Sequence, residues 1–301
     1  MKARSARTGS VFFPFAITSL IWGSSWLVIL GQLGSVPAAW SLSYRFFVAA
    51  AGMFLLARVK AISLKVGREG MIFALWLGLT LFVLNYYLVY LAEEFLTSGI
   101  VALLYALLLI PNSLLARAFF GEPLSGRFLA GSALALAGVA LLLLHEYRVS
   151  QVAADKVLLG IILSFAGIMV CSISNVMQGA QIARRLPMAA LLAWGMLFGA
   201  VMDAAVALIF HGPPVFDSRP SYWAGLIYLA LAASVATFLL YFRLIQVIGA
   251  GPASYVNLVV PVLAMLLSTL FEGYRWSALP AIGAALSLAG MAIAMRTRII
   301  P

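Results

Sequence analysis

Polar and aromatic side chains recur every three or four residues along several otherwise apolar stretches of this chain. Ser164, Gly167, Cys171, Asn175 and Gln178 are three, four, four and three residues apart, which places them on one face of a helix. Thr18, Trp22, Ser25 and Gln32 form a similar face, as do Ser254, Asn257, Pro261, Ser268 and Glu272. Shorter stripes are Ser234, Thr237 and Tyr241, then Tyr86, Tyr90 and Glu93 beside Asn85 and Tyr87, and finally Tyr105 and Asn112 on either side of Pro111. Stripes of this kind facing a common axis would make a wet space lined by hydroxyls, amides and rings, suited to a small amphiphile. The residues expected to line it are Trp22, Ser25, Asn85, Tyr86, Tyr90, Tyr105, Asn112, Asn175, Gln178, Thr237, Tyr241 and Asn257. For any one of them the competing reading is polar glue between helices.

Bond-breaking chemistry is not expected. A hydrolase needs a nucleophile with its activator, or metal ligands. The chain has no HExxH pair, Asp203 is the one aspartate inside an apolar segment, and His145 and His211 lie near segment ends. No catalytic residue, metal site or cofactor is therefore expected, and the absence of a GxxxxGK[ST] loop excludes nucleotide-driven pumping within the chain. The single cysteine, Cys171, excludes an intramolecular disulfide and reads as a small packing residue. Arg45 and Asp203 are the charges deepest in apolar sequence, and their pairing is open.

The elements that must carry these faces follow from composition. Of 301 residues 64% are hydrophobic and 9% charged, with mean hydropathy +1.09, whereas a soluble domain is about 25% charged. The apolar runs are continuous for about twenty residues, the length of a helix crossing hydrocarbon, and do not alternate as barrel strands would. Ten segments are expected, at roughly 11–31, 37–57, 71–91, 97–119, 126–144, 157–178, 188–210, 221–245, 251–271 and 277–295. The net charge of +10 is not gathered into a nucleic-acid-binding stripe. With the N-terminus inside, the inner ends hold Lys2, Arg4, Arg7, Arg58, Lys60, Lys65, Arg68, Arg117, Arg127, Arg184, Arg185, Arg243, Arg296 and Arg298. The outer ends hold only Arg148, Lys156, Arg219 and Arg275. That asymmetry places both termini in the cytoplasm. The first segment follows three basic residues as a signal peptide would, but its apolar run, Val11 to Leu30, is longer than a signal core, and it reads as a retained helix.

The chain also repeats itself. Pro111 and Glu122 recur as Pro261 and Glu272, Pro37 as Pro187, and Ser25 as Ser174. Gly131, Ala135 and Gly138 recur as Gly283, Ser287 and Gly290. The copies are about half the chain apart and five segments separate them, so the second copy is inverted in the membrane, an architecture of secondary transporters. The division expected is residues 1–150 and 151–301. Pro111 and Pro261 each free a backbone carbonyl one turn earlier and are the candidate hinges. Glu122 and Glu272 stand ahead of segments 5 and 10, where the positive helix end favours a carboxylate, so capping is expected. The small residues of segments 5 and 10 are packing faces, used within the fold or between copies in an oligomer.

The sequence resembles the drug/metabolite transporter superfamily, specifically the ten-helix EamA-type exporters, over essentially its whole length. The resemblance rests on "IWGSSWLVI" in segment 1, Pro37 with Arg45 in segment 2, Pro111 followed by "FFGEPLSG", and "GPASYVNLVVPVLAMLLSTLFEG" in segment 9. Asn85, Tyr86 and Tyr87 and the tyrosine stripes resemble the YddG-type amino-acid exporters within it. The resemblance implies an all-α polytopic fold, a basket of helices around a central cavity that opens alternately to the two sides, and efflux of small metabolites. Its second unit usually carries a tryptophan where this chain has Cys171, so no role passes to that residue. The expected function is secondary export of small amphiphilic metabolites, amino acids with aromatic ones among them, across a bacterial inner (cytoplasmic) membrane. A lipid flippase or multidrug efflux carrier of the same superfamily is the alternative, and a channel would need a filter or charged ring that the sequence does not show. The partners expected are a small-molecule substrate and the lipid bilayer, with no nucleic acid. Coupling to protons is open, and the scarcity of buried acids favours facilitated diffusion.

Overall fold

The computed structural model describes residues 2–121, 123–149, 153–178, 181–248, 253 and 255–295. They are helical almost throughout, with no strand among them. The helices are α1 (Lys2–Leu30), α2 (Ala38–Val59), α3 (Gly67–Glu93), α4 (Ser98–Phe120) and α5 (Gly126–Val149). They continue as α6 (Ala154–Met177), α7 (Met188–His211), α8 (Pro220–Ile227, Tyr228–Ala236 and Thr237–Ile248), α9 (Val256–Phe271) and α10 (Ala278–Met295). Nine are long and apolar enough to cross a membrane, and α9 is a shorter apolar helix. The boundaries fall within a few residues of those expected, except that α1 starts at Lys2 and a five-residue helix, Gln181–Arg185, precedes α7.

Helices form here because in hydrocarbon every backbone N–H and C=O must be bonded within its own segment. They stop where the sequence supplies a stop. Pro37 and Pro187 hold extended backbone just before α2 and α7. Pro220 opens α8, where a missing N–H costs nothing. Gly121 ends α4 in the left-handed region (φ 70°), its N–H bonded to the Arg117 carbonyl at 3.0 Å.

Contacts divide the chain into two units, and both draw on both halves of the sequence. The first comprises Met1–Leu27, Phe95–Ile161 and Ala236–Pro301. Its main seam is the antiparallel pair α5 and α10, packed along most of their length. A Cβ on Gly131 would lie 2.6 Å from the Gly290 carbonyl oxygen, and one on Gly283 would lie 2.6 Å from that of Gly138. The small-residue faces of these helices therefore meet each other inside one chain. The two contacts exchange under the repeat, since Gly131 and Gly138 correspond to Gly283 and Gly290.

Helix α4 packs on α9, with Gly99 seated against Met265 and Ser268. Helix α4 is interrupted at Leu107 and Leu108, one turn before Pro111, where the bonds shorten to three-residue steps (Leu108 N to Tyr105 O, 3.1 Å; Ile110 N to Leu107 O, 2.8 Å). The proline's missing donor and its ring account for this break. Pro261 lies inside α9, which begins just after a turn at Tyr255.

Glu272 does not cap α10, as expected, but α4. Its carboxylate accepts the Ser98 N–H at 2.9 Å and the Ser98 hydroxyl, while Thr97, at the usual capping position, makes no such bond. The start of α4 packs against the end of α9, so the nearest bare helix terminus is that of α4. Glu122 lies outside the described residues.

The second unit comprises Val28–Glu94 and Ile162–Val235. Here α2 and α3 both pack on α7. Ser43 on α2 donates to the Ala200 carbonyl of α7 at 3.0 Å, and a Cβ on Gly78 of α3 would stand 2.8 Å from the Gly195 carbonyl oxygen. Two stretches in this unit have π-helical bonding, Gly78–Asn85 in α3 and Tyr228–Ala236 in α8, the latter ending one residue beyond the unit boundary. They begin 150 residues apart, the spacing of the sequence repeat. At one end of the unit the 212–219 loop is pinned by Trp40 to the Gly212 carbonyl (3.3 Å), Tyr44 to that of Val215 (3.1 Å) and Trp223 to that of Asp217 (2.8 Å).

Candidate functional site

The lining residues expected from the sequence fall into both units: Trp22, Ser25, Tyr105, Asn112, Thr237, Tyr241 and Asn257 in the first, and Asn85, Tyr86, Tyr90, Asn175 and Gln178 in the second. In the first unit α1, α8 and α9 gather several of them. The Trp22 ring meets Phe238 edge-on at 6.0 Å and Tyr241 at 5.2 Å, and Trp26 meets Tyr105 at 5.3 Å. The Tyr241 hydroxyl hydrogen-bonds Asn257. Trp22, Trp26 and Tyr241 pack on an apolar floor of Leu244, Ala253, Val256 and Val260. Tyr105 stands two residues before the α4 break, and Asn112 follows Pro111, both half-buried. Thr237 is fully buried at the end of the α8 π segment, and Ser25 turns its hydroxyl back to the Trp22 carbonyl at 2.8 Å. Trp26 and Phe238 were not in the expected set, because sequence periodicity does not separate an aromatic ring on a polar face from one in the core.

In the second unit Tyr86 and Tyr90 lie beside Arg45. It is only 2% exposed although it lies well inside α2. Its guanidinium sits 4.5 Å from the Tyr86 ring centroid and 5.2 Å from that of Phe46, contacts worth about 2 kcal/mol when desolvated. Its Nη2 reaches Ser234 Oγ at 3.4 Å, and that hydroxyl donates to the Leu229 carbonyl at 2.9 Å. The five-residue step from Ser234 back to Leu229 is the reach of a π turn, so the irregular backbone of α8 presents this hydroxyl to the arginine. Tyr86 directly follows the other π stretch. The Tyr90 hydroxyl lies beside the guanidinium, and the residue is wholly buried. Cys171 of α6 lies near Tyr86 and receives the Asn175 side-chain N–H at 3.9 Å. Gln178 donates to the carbonyl of Ser174 in its own helix at 3.3 Å. Asn85, 4% exposed, closes the α3 π stretch. The sequence singled out Arg45 as a deep charge, but only the packing shows what surrounds it.

Arg45 and Asp203 are not bonded to each other. Asp203 is 1% exposed and neither of its oxygens has a hydrogen-bond partner. Among the described residues the salt bridge is Arg219 with Asp217, in the loop before α8, at 2.6 Å. There the Arg219 guanidinium, the Ser35 hydroxyl and the Arg219 backbone N–H hold the Asp217 carboxyl well below the ordinary carboxylate range, and the pairing raises Arg219 in turn. Asp217 is 7% exposed, with the Ser35 hydroxyl on its carboxylate. Beyond the end of α3, burial raises the Glu94 carboxyl. Among the described residues no three histidine, cysteine or acidic side chains group as a metal site would require.

Ten apolar helices, two of them with π-helical turns and one broken before a proline, carrying buried polar and aromatic clusters, define a polytopic integral membrane protein. The EamA-like transporter family matches the chain twice, over residues 10–144 and 158–296. The chain belongs to that family and is a membrane transporter. It is similar to Protein PagO of Salmonella typhimurium, 23% identical across 90% of this chain and 88% of that protein. It is also similar to a "Probable amino-acid metabolite efflux pump" of Escherichia coli, 25% identical over 91% of each. A third relative is the "Uncharacterized transporter YoaV" of Bacillus subtilis, 24% identical over 82% of this chain and 83% of that one. A crystal structure superposes with a TM-score of 0.68 over 95% of this chain and 96% of its own at 20% identity, which shows the shared fold.

Proposed function

We propose that this transporter exports small amphiphilic metabolites, amino acids with aromatic ones among them, by alternating access. The observation that carries the reading is the placement of rings and hydrogen-bonding groups inside membrane helices: Trp22, Tyr105, Tyr241 and Asn257 in one unit, and Tyr86, Tyr90 and Asn175 in the other. Such groups bind a molecule with an apolar part and a polar head. The E. coli relative's name as an amino-acid metabolite efflux pump supports the substrate class. The two-fold family match, the π stretches 150 residues apart and the exchanging glycine contacts of α5 and α10 support two inverted repeats, residues 1–150 and 151–301. In that arrangement Pro111 and Pro261 are the hinges, since α4 is already interrupted beside the first and α9 starts shortly before the second. The basic residues at one set of segment ends support cytoplasmic termini in an inner membrane. The partners are the transported molecule and surrounding lipid. The small faces of α5 and α10 pack on each other, and the oligomeric state is read from the size of the purified protein.

A flippase is the second reading. It is favoured by an apolar recess in the first unit, lined by Leu103, Pro261, Val262, Met265, Leu266 and Trp276, which would admit a hydrocarbon chain. Purified protein in liposomes loaded with a radiolabelled metabolite panel separates the two. Saturable, competable amino-acid flux is the expected result, whereas lipid scrambling without metabolite flux would replace export with flipping, and conductance without saturation would indicate a channel.

A further inference from the structure

We propose that a recess between α4, α9 and α10 holds one hydrocarbon chain of an outer-leaflet phospholipid, whose phosphate rests on Arg275. The lipid is a resident ligand and not cargo, so the inference goes beyond the export reading and does not depend on it. The recess follows from how the first unit packs. Helix α9 lies along α4, and α10 lies along α5, whereas α9 and α10 touch at only a few points. The space left between the two pairs measures about 260 Å³ and is lined by Leu103, Pro261, Met265, Leu266, Ala284 and Leu288 among others. Thr269 carries the one hydroxyl in the lining. That hydroxyl donates to the Met265 carbonyl at 2.7 Å and accepts the Trp276 indole N–H at 2.7 Å. No side chain of the recess is left to bond a polar group, and a polar solute entering it would lose its own bonds. Apolar walls facing a void forfeit their dispersion contacts, and hydrocarbon restores them at no polar cost.

Length and charge point to the same occupant. Along α9 the lining runs from Pro261 to Thr269, about 12 Å at the helical rise of 1.5 Å per residue. One leaflet contributes about 15 Å, half of the hydrocarbon core, so the recess has the length of one acyl chain. Its far end is Trp276, 44% exposed in the short connection between α9 and α10. The charge asymmetry places that connection outside, and indole rings gather at the interface between hydrocarbon and water. Arg275, the residue before it, is exposed and has no ion pair among the described residues. Glu272, the acid nearest to it in sequence, is bonded to Ser98. A guanidinium at the interface attracts a lipid phosphate and bonds it with charge assistance. Flipping would require the headgroup to follow its chain inward, and the lining has nothing to bond it there, so the lipid stays. Its chain bridges the α4–α9 pair and the α5–α10 pair, so binding also stabilises the first unit.

The test is binding of palmitoyl-oleoyl phosphatidylglycerol to purified, delipidated full-length protein in detergent. Native mass spectrometry counts the bound copies as lipid is added, and the melting temperature is read alongside. Wild type should hold one copy more tightly than any further copies and melt higher with it. Val262→Trp fills the recess from a lining position already 48% exposed and should weaken that copy at least about 10-fold, the worth of a few buried methylenes. Leu270→Trp, on the same helix but outside the lining and 66% exposed, should bind as wild type does. Arg275→Gln should weaken binding about 5-fold, the worth of one basic residue beside an anionic lipid. Dihexanoyl phosphatidylglycerol has the same headgroup on short chains and should bind at least about 10-fold less tightly. Undiminished binding by Val262→Trp or Arg275→Gln, equal weakening by Leu270→Trp, or equal affinity for the short-chain lipid would overturn the assignment. Dimers of wild type that vanish in Val262→Trp would put a second copy of the chain in the recess in place of lipid. Phospholipid scrambling by wild type that Val262→Trp abolishes would make the lipid cargo and refute residence. Should Val262→Trp fail to fold, Leu266→Trp, at a lining position 53% exposed, makes the same comparison.

Discussion

A single methyl group at Gly131 probes the seam between α5 and α10. Built on this backbone, its carbon would lie 2.5 Å from the Ala294 nitrogen and 2.6 Å from the Gly290 carbonyl oxygen. Ordinary contact begins near ~3.5 Å, and both obstacles are backbone, so the helices must part by about 1 Å over that turn. Overpacking of this kind costs about 1–3 kcal/mol. In a large chain each kcal/mol lowers the melting temperature by about 2–4 °C, so Gly131→Ala should melt about 2–12 °C below wild type. The reading is the loss of monodisperse protein on size exclusion after heating in detergent. Gly126→Ala, in the same helix but with nothing within 4 Å of the new carbon, is the matched control and should not differ from wild type. Gly283→Ala meets the Gly138 carbonyl oxygen at 2.6 Å and should fall as far as Gly131→Ala, because the repeat relates the two positions. Equal melting of Gly131→Ala and Gly126→Ala would refute the close seam. A large drop at Gly131 with none at Gly283 would refute its two-fold character.

Three further outcomes follow from the contacts. Glu272→Ala removes both bonds to Ser98 and should cost about 2 kcal/mol, the range of a lost charged cap, with Glu272→Gln intermediate; thermal melting of the pair checks the order. Asp217→Asn should loosen the loop before α8, seen as faster proteolysis there at neutral pH. Because its folded carboxyl is held below the ordinary value, its contribution is complete above about pH 3.9 and is lost only as pH falls through the depressed value. Wild type and variant should therefore differ equally at pH 5 and pH 8, and a gap that opens only above pH 5 would contradict the pairing. Tyr105→Ala and Asn175→Leu should lower amino-acid flux severalfold with unchanged size-exclusion profiles, and normal transport by both would remove them from the substrate site.

The fold was legible because a bilayer imposes few alternatives. Twenty-residue apolar runs have one stable form in hydrocarbon, and Pro37, Pro187 and Gly121 mark ends that the structure keeps. The polar stripes were legible too, but their contacts were not. Glu272 caps α4 and not the adjacent α10, since helix pairing across 174 residues is not written in local spacing. The π stretches at Gly78–Asn85 and Tyr228–Ala236 have no composition that distinguishes them from α-helix. In α3 the stretch begins where Gly78 lies against Gly195, a tertiary contact. Arg45 could be flagged as a charge in the wrong solvent. That Tyr86, Tyr90, Phe46 and Ser234 surround it, and that Asp203 does not bond it, required the packing of α2, α3, α7 and α8.

Carrier action is tested most directly by counterflow in sealed liposomes. Vesicles containing purified protein are loaded with unlabelled phenylalanine and diluted into a trace of the labelled amino acid, with no pH gradient or membrane potential. A substrate site exposed to one side at a time should produce transient accumulation of label above its outside concentration, abolished by excess unlabelled phenylalanine outside. Label that only equilibrates, or does not enter at all across a panel of amino acids, would contradict amino-acid export by alternating access.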